Sequence, residues 1–192
     1  MVTVYIWNAS GGWGHSSMSV GGSSGMYISW WPKYFQAPYR DGQPLRPESE
    51  SVQAFRESVP SVSEPVAAGL YLGLRTARAL NPDLLASAES HTMQEDQLLE
   101  RGSPDQTIQI SGLDESSITI WWRHWLSRSQ FYCALNKNCS TTVAEALHHG
   151  DKKGYASAGG WHRWPPFWVW TPARVLAYAA AIRRGSMRRT VR

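Results

Sequence analysis

The chain has 192 residues, a net charge of +4 and eleven tryptophans. That length fits one domain, 1–192, with a core of its own. Two cysteines, Cys133 and Cys139, are too few and too close for a disulfide scaffold and suit free thiols in a reducing compartment. No Cys/His set has zinc spacing, so neither a metal nor a cofactor is expected. No window reaches the ~18 apolar residues of a membrane span. Met1–Asn8 lacks the basic start and apolar run of a Sec signal peptide. The expectation is a soluble protein, cytoplasmic or exported by a leaderless route.

In chain order, Val2–Trp7 alternates β-branched and aromatic residues and reads as a strand. Ser10-Gly11-Gly12-Trp13-Gly14 is a loop. His15–Val20 and Met26–Trp31 form a hairpin across a Gly/Ser turn, which Pro32 ends. Residues 33–66 are rich in Pro, Ser and Glu and read as a surface loop. Leu70, Leu74 and Ala77 give 66–80 helical spacing, and 81–104 is polar with no clear pattern. Residues 33–105 together are expected to be an insertion. Gln106–Ile110 reads as a strand and 115–126 as a helix, with Ile118, Trp121, Trp122 and Trp125 on its apolar side. Phe131–Leu135 reads as a short strand, Ser140–His149 as a helix closed by Gly150, and 150–170 as an aromatic, Gly-rich loop. Thr171-Pro172 caps a helix over 173–184. Arg183, Arg184, Arg188, Arg189 and Arg192 make 183–192 a basic tail, expected to fray.

Asn138-Cys139-Ser140 stands where a strand meets a helix. Free N–H groups and the positive dipole end there favour a thiolate and can hold an oxyanion. A buried structural cysteine fits that position equally well. His15, just past a glycine loop and at the head of a strand, can project into a cleft and take a proton from a thiol.

The run Phe131-Tyr132-Cys133-Ala134-Leu135-Asn136-Lys137-Asn138-Cys139-Ser140-Thr141-Thr142-Val143 resembles the nucleophile block of the permuted papain-like superfamily. PPPDE-type isopeptidases and lecithin:retinol acyltransferase-like enzymes carry such a block, place the catalytic His before the Cys, and relate to NlpC-type peptidases by permutation. The match covers the hairpin 12–31 and 106–149. The resemblance implies an α+β fold, a small antiparallel sheet packed against the nucleophile helix. It also implies a thioester mechanism with Cys139 as nucleophile and His15 as base. A second His commonly orients the first in the acyltransferase-like proteins; none stands on the following strand here. Ser29 and Tyr27, on one face of 26–31, are the replacements, with Ser29 favoured. Asn138, Ser140, Trp13 and Gly14 flank the pair and are expected to bind substrate or support the oxyanion.

The remaining candidates are weaker. His148, His149 and Asp151 look like a helix end. His124 should pack among tryptophans, and His91 and His162 lie in loops. Cys133 should be core. Ser16 and Ser17 follow His15 without both flanking glycines of a Gly-x-Ser-x-Gly elbow, and the glutamates 48, 50, 57 and 64 have no paired-carboxylate spacing. Three functions remain. The first is an amide hydrolase acting on a peptide, isopeptide or cell-wall peptide. The second is a lipid acyl hydrolase or acyltransferase on the same Cys/His site. The third is a non-catalytic Trp-rich basic binding module. Size, basicity and the missing leader resemble bacterial toxins and injected effectors, which implies an immunity or inhibitor protein as partner. The basic tail suits an anionic membrane surface, and nucleic acid is not expected.

Overall fold

A computed structural model describes residues 1–8, 14–22, 25–32, 39–40, 43–44, 86–128, 131–132, 137–161 and 170–190. The helix expected at 66–80, together with Trp13, Cys133 and His162, lies outside them. The fold is α+β, built on a small antiparallel sheet. Strand β1 (Val2–Trp7) lies between β2 (His15–Val20) and β8 (Gln106–Ile110), and β3 (Met26–Ile28) pairs with the outer side of β2. The two ladders of β1 set the register, with Val4 opposite both Met18 and Ile108.

Strand alternation sorts this sheet into two unlike faces. Val2, Val4, Ile6, Met18, Val20, Ile28, Ile108 and Ile110 share the apolar one and are buried. Against it pack the helices α3 (Cys139–Gly150) and α5 (Pro172–Thr190), through Val143, Leu147, Val175, Ala179 and Ile182. Each of the Val, Leu and Ile side chains contributes about 1.5–3 kcal/mol when removed from water. The other face carries Thr3, Tyr5, His15, Ser17, Ser19 and Tyr27 and is polar.

The third strand was expected to run from Met26 to Trp31. It stops at Ile28, and the chain restarts as β4 (Trp31–Pro32) in a second sheet with β7 (Ala86–Glu89) and β9 (Phe131–Tyr132). The break falls where Ser29 turns its hydroxyl to a buried carboxylate and Trp30 enters a tryptophan cluster. Two short strands, β5 (Tyr39–Arg40) and β6 (Gln43–Pro44), pair with each other.

Residues 81–104, which showed no clear pattern, contain β7 and the helix α1 (Met93–Leu99). A capping box starts α1: the Thr92 hydroxyl accepts from the Glu95 N–H, and the Glu95 carboxylate accepts from the Thr92 N–H. The helix α2 (Glu115–Arg128) ends two residues later than expected, beside α3. Trp30, Trp121, Trp122 and Trp125 form an aromatic cluster at its foot, while His124, expected among them, faces solvent.

The last helix departs from expectation as well. It continues past 184 to Thr190, so most of the basic tail is helical. Its final turns pack on a one-turn helix, α4 (Tyr155–Ala158), which gives Arg184, Arg188 and Arg189 partners that a frayed end would lack. Among the described residues, no helix is long and apolar enough to cross a membrane.

Candidate active site

Helix α3 begins at Cys139. Asn138 is its N-cap: the side-chain oxygen accepts from the Thr141 N–H at 2.7 Å, and Nδ2 donates to the Trp170 carbonyl at 3.1 Å. Asn138 thus fixes the first turn of α3 and ties it to the start of α5. The sulfur is buried beside β2. Ser16, on the core face of β2, reaches the Ser140 hydroxyl at 3.1 Å, and its backbone N–H bonds the sulfur.

His15 opens β2 and is 1% exposed. Gly14, before it, has φ 67°, a left-handed conformation that glycine adopts without strain and that delivers the chain into the strand. The imidazole lies between two indoles. It stacks on Trp31 with centroids 4.4 Å apart and tilts against Trp7 at 5.4 Å. Such faces favour the charged form of the ring.

The residue that completes the site is Asp96, in the first turn of α1. It is fully buried, and four donors converge on it. His15 Nε2 (3.0 Å) and the Tyr27 hydroxyl (2.7 Å) donate to Oδ2; the Ser29 hydroxyl (2.8 Å) and the Trp31 indole (2.7 Å) donate to Oδ1. Ser29 Oγ also lies 3.2 Å from His15 Nε2. Both residues proposed to orient His15 therefore reach its surroundings. Ser29 touches the ring, whereas Tyr27 acts on the carboxylate. His91 lies in a loop, as expected, and is buried on the other face of Trp31, with Nδ1 4.0 Å from Asp96 Oδ1.

The electrostatics follow from this geometry. Burial alone would push the Cys139 thiol up. The charge and hydrogen bond of His15, the Ser16 N–H and the Ser140 hydroxyl outweigh it and hold the thiol below its ordinary value. Burial would likewise push His15 down, but the Cys139 charge and Asp96 push it up to about 10. Burial would raise Asp96; its bonds to His15, Tyr27 and Ser29 hold it low. Burial and the neighbouring carboxylate raise Tyr27, which stays a neutral donor. The favoured state is thiolate, imidazolium and carboxylate in sequence, with Asp96 as the counter-ion of the ring.

Sequence reasoning placed Cys139, His15, Ser29 and Tyr27 in one neighbourhood, and the structure brings them together. Ser140 lies beside the sulfur at 3.9 Å, Gly14 precedes His15, and Asn138 serves the helix cap. Asp96 was missed. The one available signal was Thr92-x-x-Glu95, a capping-box pattern that marks a helix start and puts Asp96 on that helix. Among the described residues, no group of three or more His, Cys, Asp or Glu side chains could hold a metal ion.

Comparison with known proteins adds a lineage. A stretch of 83 residues is 36% identical to part of a protein named "Multifunctional-autoprocessing repeats-in-toxin" from Vibrio cholerae serotype O1. The match takes in 42% of this chain and 2% of that toxin, so the chain corresponds to a small piece of its relative. The likeness gives the chain a bacterial toxin or effector theme. Residues 85–190 match the model of the IcsB middle domain, a span that holds Asp96 and Cys139 and leaves out the hairpin bearing His15. That match covers more than half of the sequence, and the chain belongs to the IcsB middle-domain family.

Proposed function

We propose that this chain is a cysteine-dependent acyl-transfer enzyme of a bacterial effector or toxin, on a permuted papain-like fold, with an amide as its substrate. The observation that carries the reading is the buried line Cys139–His15–Asp96, in which the thiol is held low and the imidazole is pushed up to about 10. Structural cysteines have no need of such a line, and nucleophilic ones do.

Each step uses groups at hand. The Cys139 thiolate attacks the carbonyl carbon, and the N–H at the first position of α3 holds the oxyanion. The C–N bond breaks as the His15 imidazolium gives its proton to the leaving nitrogen. Neutral His15, oriented by Asp96 and Ser29, then takes a proton from water or another acceptor, which attacks the thioester. The C–S bond breaks, and the thiolate–imidazolium pair returns. The same sequence runs on a lipid ester, with oxygen as the leaving atom. The binding-module reading loses ground, because Trp7, Trp30, Trp122 and Trp170 are buried and offer no stacking platform.

The test is intact-protein mass spectrometry after incubation with peptide-amide and lipid-ester pools. The expected result is a hydroxylamine-sensitive adduct on Cys139, whose mass identifies a peptidyl or a fatty acyl group. The same pH profile of iodoacetamide alkylation should be read in the native chain and in His15→Ala. Alkylation of the native thiol should begin well below pH 9, and in the variant about 10²–10⁴-fold more slowly at neutral pH. An adduct that persists in Cys139→Ala, or a profile indifferent to His15, overturns the reading.

A further inference from the structure

Six cations gather at the end of the molecule remote from Cys139. Helices α3 and α5 start together, joined by the Asn138–Trp170 bond, and run side by side. At their far ends the turn after α3 leads into α4, which lies against the last turns of α5. The approach is backbone to backbone. A Cβ on Gly185 would sit 1.9 Å from the Tyr155 carbonyl oxygen, and one on Gly159 would sit 1.8 Å from that of Ala181.

This joint fixes the cations. Arg184 donates to the Gly159 carbonyl at 3.2 Å and Arg188 to the Ala158 carbonyl at 2.9 Å. The Lys153 ammonium and the Arg189 guanidinium lie 5.9 and 5.7 Å from the centroid of the Tyr155 ring. Lys152 and Arg183 extend the group, and all six side chains are exposed. Among the described residues, none of the six makes an ion pair with a carboxylate. The nearest acid in sequence, Asp151, gives both oxygens to the Tyr155 and Ala156 N–H groups that open α4. Met187, one turn on from Arg183 and Arg184, is 57% exposed in their midst.

We propose that this end is a docking surface for an anionic lipid membrane. Clustered cations, of which Lys152 feels the nearby carboxylate of Asp114, attract an anionic leaflet, and an exposed apolar side chain among them suits the boundary of headgroups and acyl chains. Nucleic acid fits less well: the aromatic ring here, Tyr155, is 6% exposed and roofed by two cations, so no base can stack on it. The twelve residues of α3, rising 1.5 Å each, put this end about 18 Å from Cys139. The docked protein would hold its thiol above the bilayer, and the membrane would be an anchor and not the substrate. The inference stands apart from the chemistry assigned to Cys139.

Flotation with phosphatidylcholine vesicles, with and without phosphatidylserine, tests it. The native chain should float with the serine-containing vesicles only and release them in about 0.5 M salt. Lys153→Glu, Arg183→Glu and Arg189→Glu together should weaken binding ~100-fold or more. Thermal unfolding confirms that this variant folds, and Lys152→Gln with Arg183→Gln, which break no bond or ring contact described above, should weaken binding in the same direction. Absence of flotation, flotation indifferent to charge reversal, or displacement of the vesicles by a single-stranded oligonucleotide overturns the proposal.

Discussion

Two parts of the molecule deliver charged partners to the same imidazole by different means. On one side stands the frame of β1, β2, β8 and α3, which carries His15 and Cys139. There the positions are set by two antiparallel ladders, an apolar sheet face and a capped helix. On the other side stands α1, seven residues long, which carries Asp96. It has a capping box at its start, and four hydrogen bonds to one carboxylate hold it, two from His15 and Tyr27 on the polar sheet face and two from Ser29 and Trp31 past the end of β3. The frame is held by apolar burial, and the α1 side by polar bonds and charge. The thiol is therefore housed in the durable half, and the group that keeps its partner charged sits in the half that depends on its own ion pair.

The largest effect expected from breaking this arrangement is Asp96→Ala. It removes the counter-ion of a buried imidazolium and leaves Tyr27, Ser29 and Trp31 without their acceptor. It should cost about 3–5 kcal/mol in chemical denaturation. Alkylation of Cys139 at neutral pH should fall with it, while hydrogen exchange in β1 and α3 stays the slowest in the chain.

The pH dependence of stability sharpens the same contrast. His15 has its folded value raised from 6.5 to about 10, and Cys139 has its value lowered from 9.0. Between 6.5 and 9.0 the two shifts act in opposite senses: the raised imidazole favours the folded chain as pH falls, and the lowered thiol favours it as pH rises. Above 9.0 the unfolded pair is empty while folded His15 still holds its proton, and stability should fall as pH rises towards 10. On the acid side, the stability contributed by the lowered thiol should be lost as the pH falls through its folded value. Denaturant titrations at half-unit pH steps should show the alkaline fall, and His15→Ala should remove it.

A smaller effect is expected from Thr92→Ala, which deletes the capping box at a cost of about 1 kcal/mol. Because the cap belongs to α1 alone, exchange should quicken there and leave β2 unchanged. Equal quickening in both would show one cooperative unit in place of two.

The same division explains what the sequence disclosed. The frame was legible: alternation in Val2–Trp7 and His15–Val20, the Asn138 cap and the Thr171-Pro172 start are local signals with local causes. The Cys139–His15 pairing was legible through the order of the two residues and the block around the cysteine. Asp96 was hidden, since its role arises from position against a face made of residues 15, 27, 29 and 31, and nothing within α1 distinguishes it from other acids. The late end of α5 was hidden for a related reason. Arg184, Arg188 and Arg189 look like a solvated tail until α4 supplies carbonyls and a ring for them.

The two faces of β2 also give the chain a parity. His15 belongs to the polar face and Ser16 to the apolar one, so neighbouring residues of one strand serve the carboxylate side and the thiol side of the site. Removing or adding a single residue within the strand would exchange the two sets along the rest of its length. A change of two residues would keep each side chain on its own face and shift it along the ladder. Sequence variants in this strand should therefore divide by whether the change in length is odd or even.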